Sequence, residues 1–375
     1  RELRRVFAIE FAITAGSGGK GSVWIDDLTL TPLEPAAPYT LTPLVTATAH
    51  VPGHEPGRAF DGSRATAWRA PESETDRTTL SIDFHKRREF GGLVIDWERG
   101  RRPNHYSVRA SNGEIDNTGV IWTTLYTVSR SMSPPGLRDY LHLPESEARY
   151  LELVVDTAMN GGSGFGIREF GVQPLEWAPT KNDLLRVIAE ESPRGTYPKY
   201  LSGEQSYWTV IGVDGDSAEA LINEEGMIEV GRGEFSIEPF IYADDRLFTW
   251  SDAEITVLPD SEALPIPQVK WIVRTRRGSL ELLISAFASG APDSSTLRIR
   301  YRLTDPTDYG QPAQLYLAVR PLQVNPPWQF LNQAGGVARI DSVGIDGHDV
   351  TVNGKAAVHS SSTAPPRPPA GSTLT

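Results

Sequence analysis

Cysteine is absent from all 375 residues, which excludes disulfide staples and any thiolate metal site. That absence leaves export open. Long apolar runs are absent too: no stretch of about 18 apolar residues occurs, so membrane insertion is not expected. The chain lacks an excess of basic charge. Lys and Arg number 36 against 48 Asp and Glu, a net charge of -12, and no field exists to attract phosphates, so nucleic acid is not an expected partner. Histidine is scarce, at 7 residues, and shows neither an HExxH motif nor another zinc spacing. There is no initiating Met and no signal-peptide pattern, so the chain reads as a mature form or a cut fragment.

Aromatic and turn-forming residues are plentiful. With 9 Trp, 12 Tyr, 12 Phe and 39% hydrophobic residues there is material for real cores, and 375 residues suggest two to three domains. Gly (34) and Pro (29) fit many short strands joined by turns.

In chain order, residues 1–33 read as the partial end of a β-sandwich, with strands expected in Val6–Ala12 and Gly21–Leu30. Two or three strands cannot bury a core alone, so this is either the end of a larger module or a hairpin packed on the next domain. Residues 34–37 are a stiff Pro-containing linker. Residues 38–176 alternate with period two: Leu80, Ile82 and Phe84; Leu93, Ile95 and Trp97; Tyr106, Val108 and Ala110; Leu151, Leu153 and Val155. Such alternation between Gly, Pro, Asn and Ser clusters predicts an antiparallel sandwich. Residues 177–200 hold a short connecting helix, with Leu184, Leu185, Val187 and Ile188 on one face, a cap between Thr180 and Asp183, and Pro193 and Gly195 beyond its end. Residues 201–358 return to strands as a larger β-sandwich; Leu297, Ile299, Tyr301 and Leu303 alternate there with Arg298, Arg300 and Arg302. Residues 359–375 are a Pro/Ser-rich linker, after which further chain is expected. The fold class is therefore all-β, multi-domain, with one linking helix.

The middle module is organised around Ala59–Trp68, AFDGSRATAW. With it go Leu80–Phe84, Tyr106–Val108, Ala110–Gly113, Trp122, Arg149–Leu153 and the closing Gly166–Val172, GIREFGV. In order and spacing this set resembles the discoidin, or coagulation factor 5/8 type C, domain, and more narrowly the bacterial carbohydrate-binding modules of that fold. It departs from the family at Asn112-Gly113 and in the insertion Glu114–Ile121, both at turns. The resemblance implies a discoidin-like jelly roll and a structural calcium ion near Asp61, Thr66 and Glu169. A hard cation takes carboxylate, hydroxyl and carbonyl oxygens at a rigid turn. The alternative is a plain Asx turn at Asp61. It also implies sugar binding by loops at one end, where the candidates are His54, Glu55, Arg69, Arg99, Asn104, Asn160 and Phe165. Phe165 is the single aromatic of the glycine-rich NGGSGFG, read as a place where backbone approaches a ligand. Trp97, in phase with Leu93 and Ile95, reads as core.

Residues 200–211, 235–250 and 320–331 resemble the β-sandwich that precedes an (α/α)6 barrel in bacterial glycoside hydrolases and phosphorylases, which implies a catalytic domain beyond residue 375. The ending VWIDDLTL resembles the last strand of jelly-roll carbohydrate-binding modules.

No catalytic site is complete. Gly161–Gly166 has the wrong spacing for a phosphate loop, and Glu219 stands where an EF-hand loop starting at Asp214 needs glycine. Adjacent carboxylates such as Glu190/Glu191 and Asp244/Asp245 are not evidence of two acids facing across a cleft. The expected function is that of a non-catalytic carbohydrate-binding region of an extracellular or periplasmic bacterial glycan-degrading enzyme, with polysaccharide or oligosaccharide as partner. The alternatives are an enzyme in its own right and a protein or cell-surface adhesion module.

Overall fold

Period-two alternation builds the two longest strands, Arg77–Trp97 and Arg138–Asp156, which pair antiparallel along most of their length. The computed structural model describes residues 22, 24–27, 29, 42–72, 77–117, 119–130, 136–156, 158–258, 266–307, 310, 312–329 and 335–361. The chain divides into two compact units, Arg1–Leu41 and Thr42–Thr375. The strand expected at Val6–Ala12, the linker 34–37 and the tail beyond Ser361 lie outside the described residues. Within Gly21–Leu30 none of the described residues is in a strand, and Ile25, expected on a buried face, is 49% exposed.

In the second unit, Leu80 pairs with Leu153 and Ile82 with Leu151; the ladder breaks between Asp83 and Arg88, where His85 takes φ 65°, resumes with Arg88 opposite Ala148, and shifts again between Phe90 and Gly92 before Leu93 meets Leu141. The first half of Arg77–Trp97 also pairs with Leu44–Ala47, and its second half with Gly166–Gln173. The seven-stranded sheet runs Trp68–Arg69, Gly166–Gln173, Arg77–Trp97, Arg138–Asp156, His105–Ser111, Thr123–Ser129, with Leu44–Ala47 attached to Arg77–Trp97. All twelve alternating apolar residues named from the sequence are buried. Trp97 is among them and packs 5.3 Å from Tyr106, ring centre to ring centre.

The connecting helix is Lys181–Glu190, capped as expected: Thr180 accepts from the Asp183 amide while Asp183 accepts from the Thr180 amide. It is the one α-helix among the described residues, and no described helix is long and apolar enough to cross a membrane. Beyond it, a six-stranded sheet that includes Ser236–Ala243 and Gln314–Arg320 faces a four-stranded sheet of Ala253–Leu258, Gln268–Arg274, Ser279–Ser289 and Thr296–Thr304. Ile222, Ile228, Ile241, Trp271, Leu282 and Ile284 meet in the core between them. Leu297, Ile299, Tyr301 and Leu303 are half-buried and the three intervening arginines exposed, as their alternation predicts. A small sheet of Val343–Asp346, Asp349–Val352 and Lys355–His359 follows, so His359 ends a strand.

A carboxylate is enclosed in the first sandwich. Asp139, 3% exposed, accepts from Trp97 Nε1 and Tyr106 Oη at 2.7 Å each, from Arg130 Nη2 at 2.5 Å, and from the Arg102 guanidinium. Burial pushes its acidity towards the neutral form, but the donors on Arg130, Tyr106 and Arg102 together outweigh burial and hold the carboxyl below the usual range. A carboxyl lowered in the folded state stabilises the fold above its unfolded value, and that contribution is lost as pH falls through the folded value. Asp139→Asn leaves two arginines without their anion and is expected to cost about 3–5 kcal/mol at neutral pH. Urea unfolding across pH tests this: the wild type weakens as pH falls below about 4, and the variant lacks that component of the slope.

Candidate functional site

The loops at one end of the first sandwich enclose a cleft of about 330 Å3. Its wall begins at a tight turn: Gly53 takes φ 81° and the His54 amide donates to Val51 O at 2.9 Å. The short 3-10 helix Pro56–Ala59 then carries Arg58 to the rim. The chain next turns at Asp61-Gly62, with Gly62 at φ 75°, and enters the strand Trp68–Arg69 opposite Ile167 and Gly166. His54, Arg58, Arg64, Arg69, Glu98 and Arg168 supply the functional groups of the lining.

Arg69 and Glu98 form its fixed centre. Arg69 Nε donates to Glu98 Oε2 at 2.7 Å and a second guanidinium nitrogen donates to Oε1, a two-point pair that leaves little rotational freedom. This bonding holds the Glu98 carboxyl below its ordinary range against the opposing effect of burial. His54 Nδ1 lies 2.9 Å from Ala67 O; a carbonyl only accepts, so Nδ1 carries the proton and Nε2 of the neutral ring is an acceptor. Four guanidinium groups and one carboxylate face the cleft, on a chain that is acidic in total. No Phe, Tyr or Trp is among its lining residues.

Of the residues named from the sequence, the structure brings His54, Arg69 and Thr66 to this cleft. Glu55 is exposed beside it and accepts from Arg58 Nε at 3.0 Å. Arg99 is exposed on the loop after Trp97 and is not part of the lining. Asn160 is a brace: its Oδ1 accepts from the Asn104 and His105 amides at 2.7 and 3.0 Å, and its Nδ2 donates to His105 O and Asp156 O. Asn104 is held through that amide and does not line the cleft. Phe165 is corrected outright: it is 2% exposed and meets Trp68 edge to face at 5.4 Å, so its ring belongs to the core and offers no platform. The neighbouring glycines likewise serve the protein's own chain. A Cβ at Gly164 would stand 2.8 Å from Ala70 O, and one at Gly166 would stand 2.7 Å from Glu98 Oε2. Sequence reasoning missed Arg58, Arg64, Glu98 and Arg168. Alternation gives no signal for Arg168, which shares its parity with the buried Phe170 and is passed over where the ladder shifts register from Asp96–Glu169 to Trp97–Ile167.

The cation corner lies beside the cleft. Asp61 Oδ1 accepts from the Ser63 amide at 2.9 Å, which is the Asx turn of the alternative reading. Asp61 Oδ2 accepts from Thr66 Oγ1 at 2.7 Å, and that hydroxyl also lies 3.1 Å from Ser63 O. Glu169 Oε2 is buried without a partner. Burial, and then the negative charge of Asp61, push the Glu169 carboxyl above its ordinary range. Among the described residues no group of three or more His, Cys, Asp or Glu is placed to hold a metal ion. Two carboxylates, a hydroxyl and nearby carbonyls are nevertheless the donor types a hard cation takes, and the orphaned Glu169 oxygen fits such an occupant.

Residues 45–170 match the family model of the F5/8 type C domain, and this middle module belongs to that family. Among solved structures, chitosan-binding module 1 of a chitosanase/glucanase from Paenibacillus sp. IK-5 is 26% identical, covering 36% of this chain and 96% of that one, with a TM-score of 0.30. Chitosan-binding module 2 of the same enzyme, solved with chitotriose, is 23% identical and covers 36% and 98%, with a TM-score of 0.31. The family 32 carbohydrate-binding module of NanJ from Clostridium perfringens, solved with galactose, is 18% identical and covers 36% and 95%, with a TM-score of 0.29. No curated protein matches the chain.

The acid at the corner gives a signed prediction. A carboxyl whose folded value is raised penalises the fold above that value, and the penalty disappears once it is protonated. Glu169→Gln is therefore expected to raise the thermal midpoint in chelator at about pH 8, with the gain shrinking as pH falls towards about 4. Differential scanning calorimetry across that range checks it; a gain that does not depend on pH would contradict the electrostatic account.

Proposed function

We propose that this chain is a carbohydrate-binding region that holds a bacterial glycan-processing enzyme on its polysaccharide, outside the cytoplasm. The observation that carries the reading is the polar cleft of an F5/8 type C module, in which Arg69, Glu98 and His54 are already fixed by bonds to one another and to backbone. A sugar hydroxyl both donates and accepts. The arginines supply donors, while the Glu98 carboxylate and His54 Nε2 supply acceptors. Rigid groups lose little entropy on binding, so more of the interaction energy is left for the ligand. Retention of an enzyme on a polymer raises the local substrate concentration without any new catalytic group.

A binding role is favoured over glycosidic chemistry at this cleft because its lining holds one carboxylate, Glu98, which is already paired with Arg69. The enzymatic context rests on the resemblance of residues 201–358 to the sandwich that precedes an (α/α)6 barrel, with the barrel expected beyond residue 375. The same proposal includes calcium at the corner, held by Asp61, Thr66 and Glu169, where it would neutralise two adjacent acids and stiffen the loop that carries Arg64.

Affinity electrophoresis of the full chain against soluble polysaccharides tests the binding role. One glycan is expected to retard the wild type and to lose its effect on Arg69→Ala; equal migration on every glycan would refute the proposal. Calcium is tested separately by melting: the ion should raise the midpoint of the wild type and leave Asp61→Asn unchanged, whereas an equal response from both would remove this site.

A further inference from the structure

The large sandwich bears a second cleft, of about 370 Å3, lined by Glu204, Gln205, Ser206, Trp208, Trp328 and Gln329 among others. That size falls within the range of roughly 300–1,000 Å3 typical of small-ligand sites. One wall is the loop that ends the 3-10 turn Lys199–Ser202. Gly203 closes that turn at φ 79°, its amide donating to Tyr200 O at 3.0 Å, and the Glu204 amide donates to Lys199 O at 3.2 Å. The other wall is the tip Pro326–Gln329. Its base is narrow: the Gly336 amide donates to Asn325 O at 2.8 Å and the Gln323 amide to Gly336 O at 2.9 Å.

Two observations point to a ligand. First, Trp328 is 62% exposed but not loose, since it meets the buried Tyr200 edge to face at 5.8 Å and 81°. Tyr200 in turn donates to Gly336 O at 3.4 Å. An indole anchored from beneath and open above is a stacking platform. Second, Ser206 lines the cleft at 8% exposure, and its hydroxyl has no hydrogen-bond partner. A buried hydroxyl without a partner is disfavoured unless something outside the chain completes it. Glu204 adds an acceptor of fixed charge: Arg194 binds both of its oxygens and holds it below the ordinary carboxyl range.

An apolar partner would cover Trp328 but leave Ser206, Gln205 and Gln329 unsatisfied. A pyranose meets both demands, with its C–H face on the indole and its hydroxyls on the polar wall. We infer that this cleft is a second saccharide-binding site, taking a pyranose unit of a neutral glycan on Trp328 with Ser206, Gln205, Gln329 and Glu204 as hydroxyl partners. It stands independently of the first cleft, which contributes none of these residues.

The test uses the full chain with cellohexaose, maltohexaose and chitohexaose, and N-bromosuccinimide footprinting read by peptide mass spectrometry. At least one hexasaccharide is expected to protect Trp328 from oxidation, equally in the wild type and in Arg69→Ala. By calorimetry, Trp328→Ala should weaken that sugar about tenfold and Trp328→Tyr, which keeps a ring, by less. Equal oxidation of Trp328 with and without all three sugars overturns the site, as does protection that vanishes in Arg69→Ala. Should Trp328→Ala fail to fold, the wild-type footprint decides alone. Protection at Trp328 together with polysaccharide retardation that ignores Arg69→Ala would sink the first cleft and leave this one standing.

Discussion

The buried carboxylate of Asp139 is the anchor on which the binding end of the first sandwich depends. It gathers Trp97, Arg102 and Tyr106 from one stretch of the chain and Arg130 from another. Trp97 is the last residue of the long strand, and Glu98 follows it directly. With the indole nitrogen tied to Asp139, the backbone leaves the sheet at a set point, and the Glu98 amide reaches Gly166 O at 2.8 Å. Glu98 then fixes Arg69 from across the cleft. A buried charge becomes a geometric instrument here: its desolvation is offset only when every donor is in place, so the strand end has one well-satisfied arrangement.

The two clefts solve different recognition problems. The first has directional polar groups, net positive charge and no Phe, Tyr or Trp, so its selectivity must come from hydrogen-bond geometry. The second is built around an anchored indole with few charges, and a flat ring tolerates many sugars that share an apolar face. Sites of these two kinds on one chain are complementary, because one supplies discrimination and the other area. Weak sites joined in one molecule bind a polymer more tightly than either does alone, provided both reach the same strand.

Much of the fold was legible because burial on one face of a sheet enforces period two. Leu80, Ile82, Phe84, Leu151, Leu153 and Val155 all bury as their spacing requires. The Thr180 cap and the turn at Asp61 were legible for another reason, since both are bonds between residues three or fewer apart. What failed depended on distant partners. Phe165 looked like an exposed ring in a glycine loop, and only its meeting with Trp68, nearly a hundred residues earlier, makes it core. Glu98 carried no local sign of its pairing with Arg69 across 29 residues. Trp328 in NPPW gave no hint that a buried Tyr200 would hold it upright.

The glycines of residues 161–166 show why composition alone misleads at a binding site. Gly164 and Gly166 are small because Ala70 O and the Glu98 side chain already occupy the space a Cβ would need. The close approach is intramolecular, and its consequence is rigidity. The Gly166 amide bonds to Arg101 O at 3.0 Å and the Ala70 amide to Phe165 O at 2.9 Å, which locks the two loops that carry Arg69 and Glu98. A ligand therefore meets a cleft whose ordering was completed during folding, and little of its interaction energy is spent on arranging the protein.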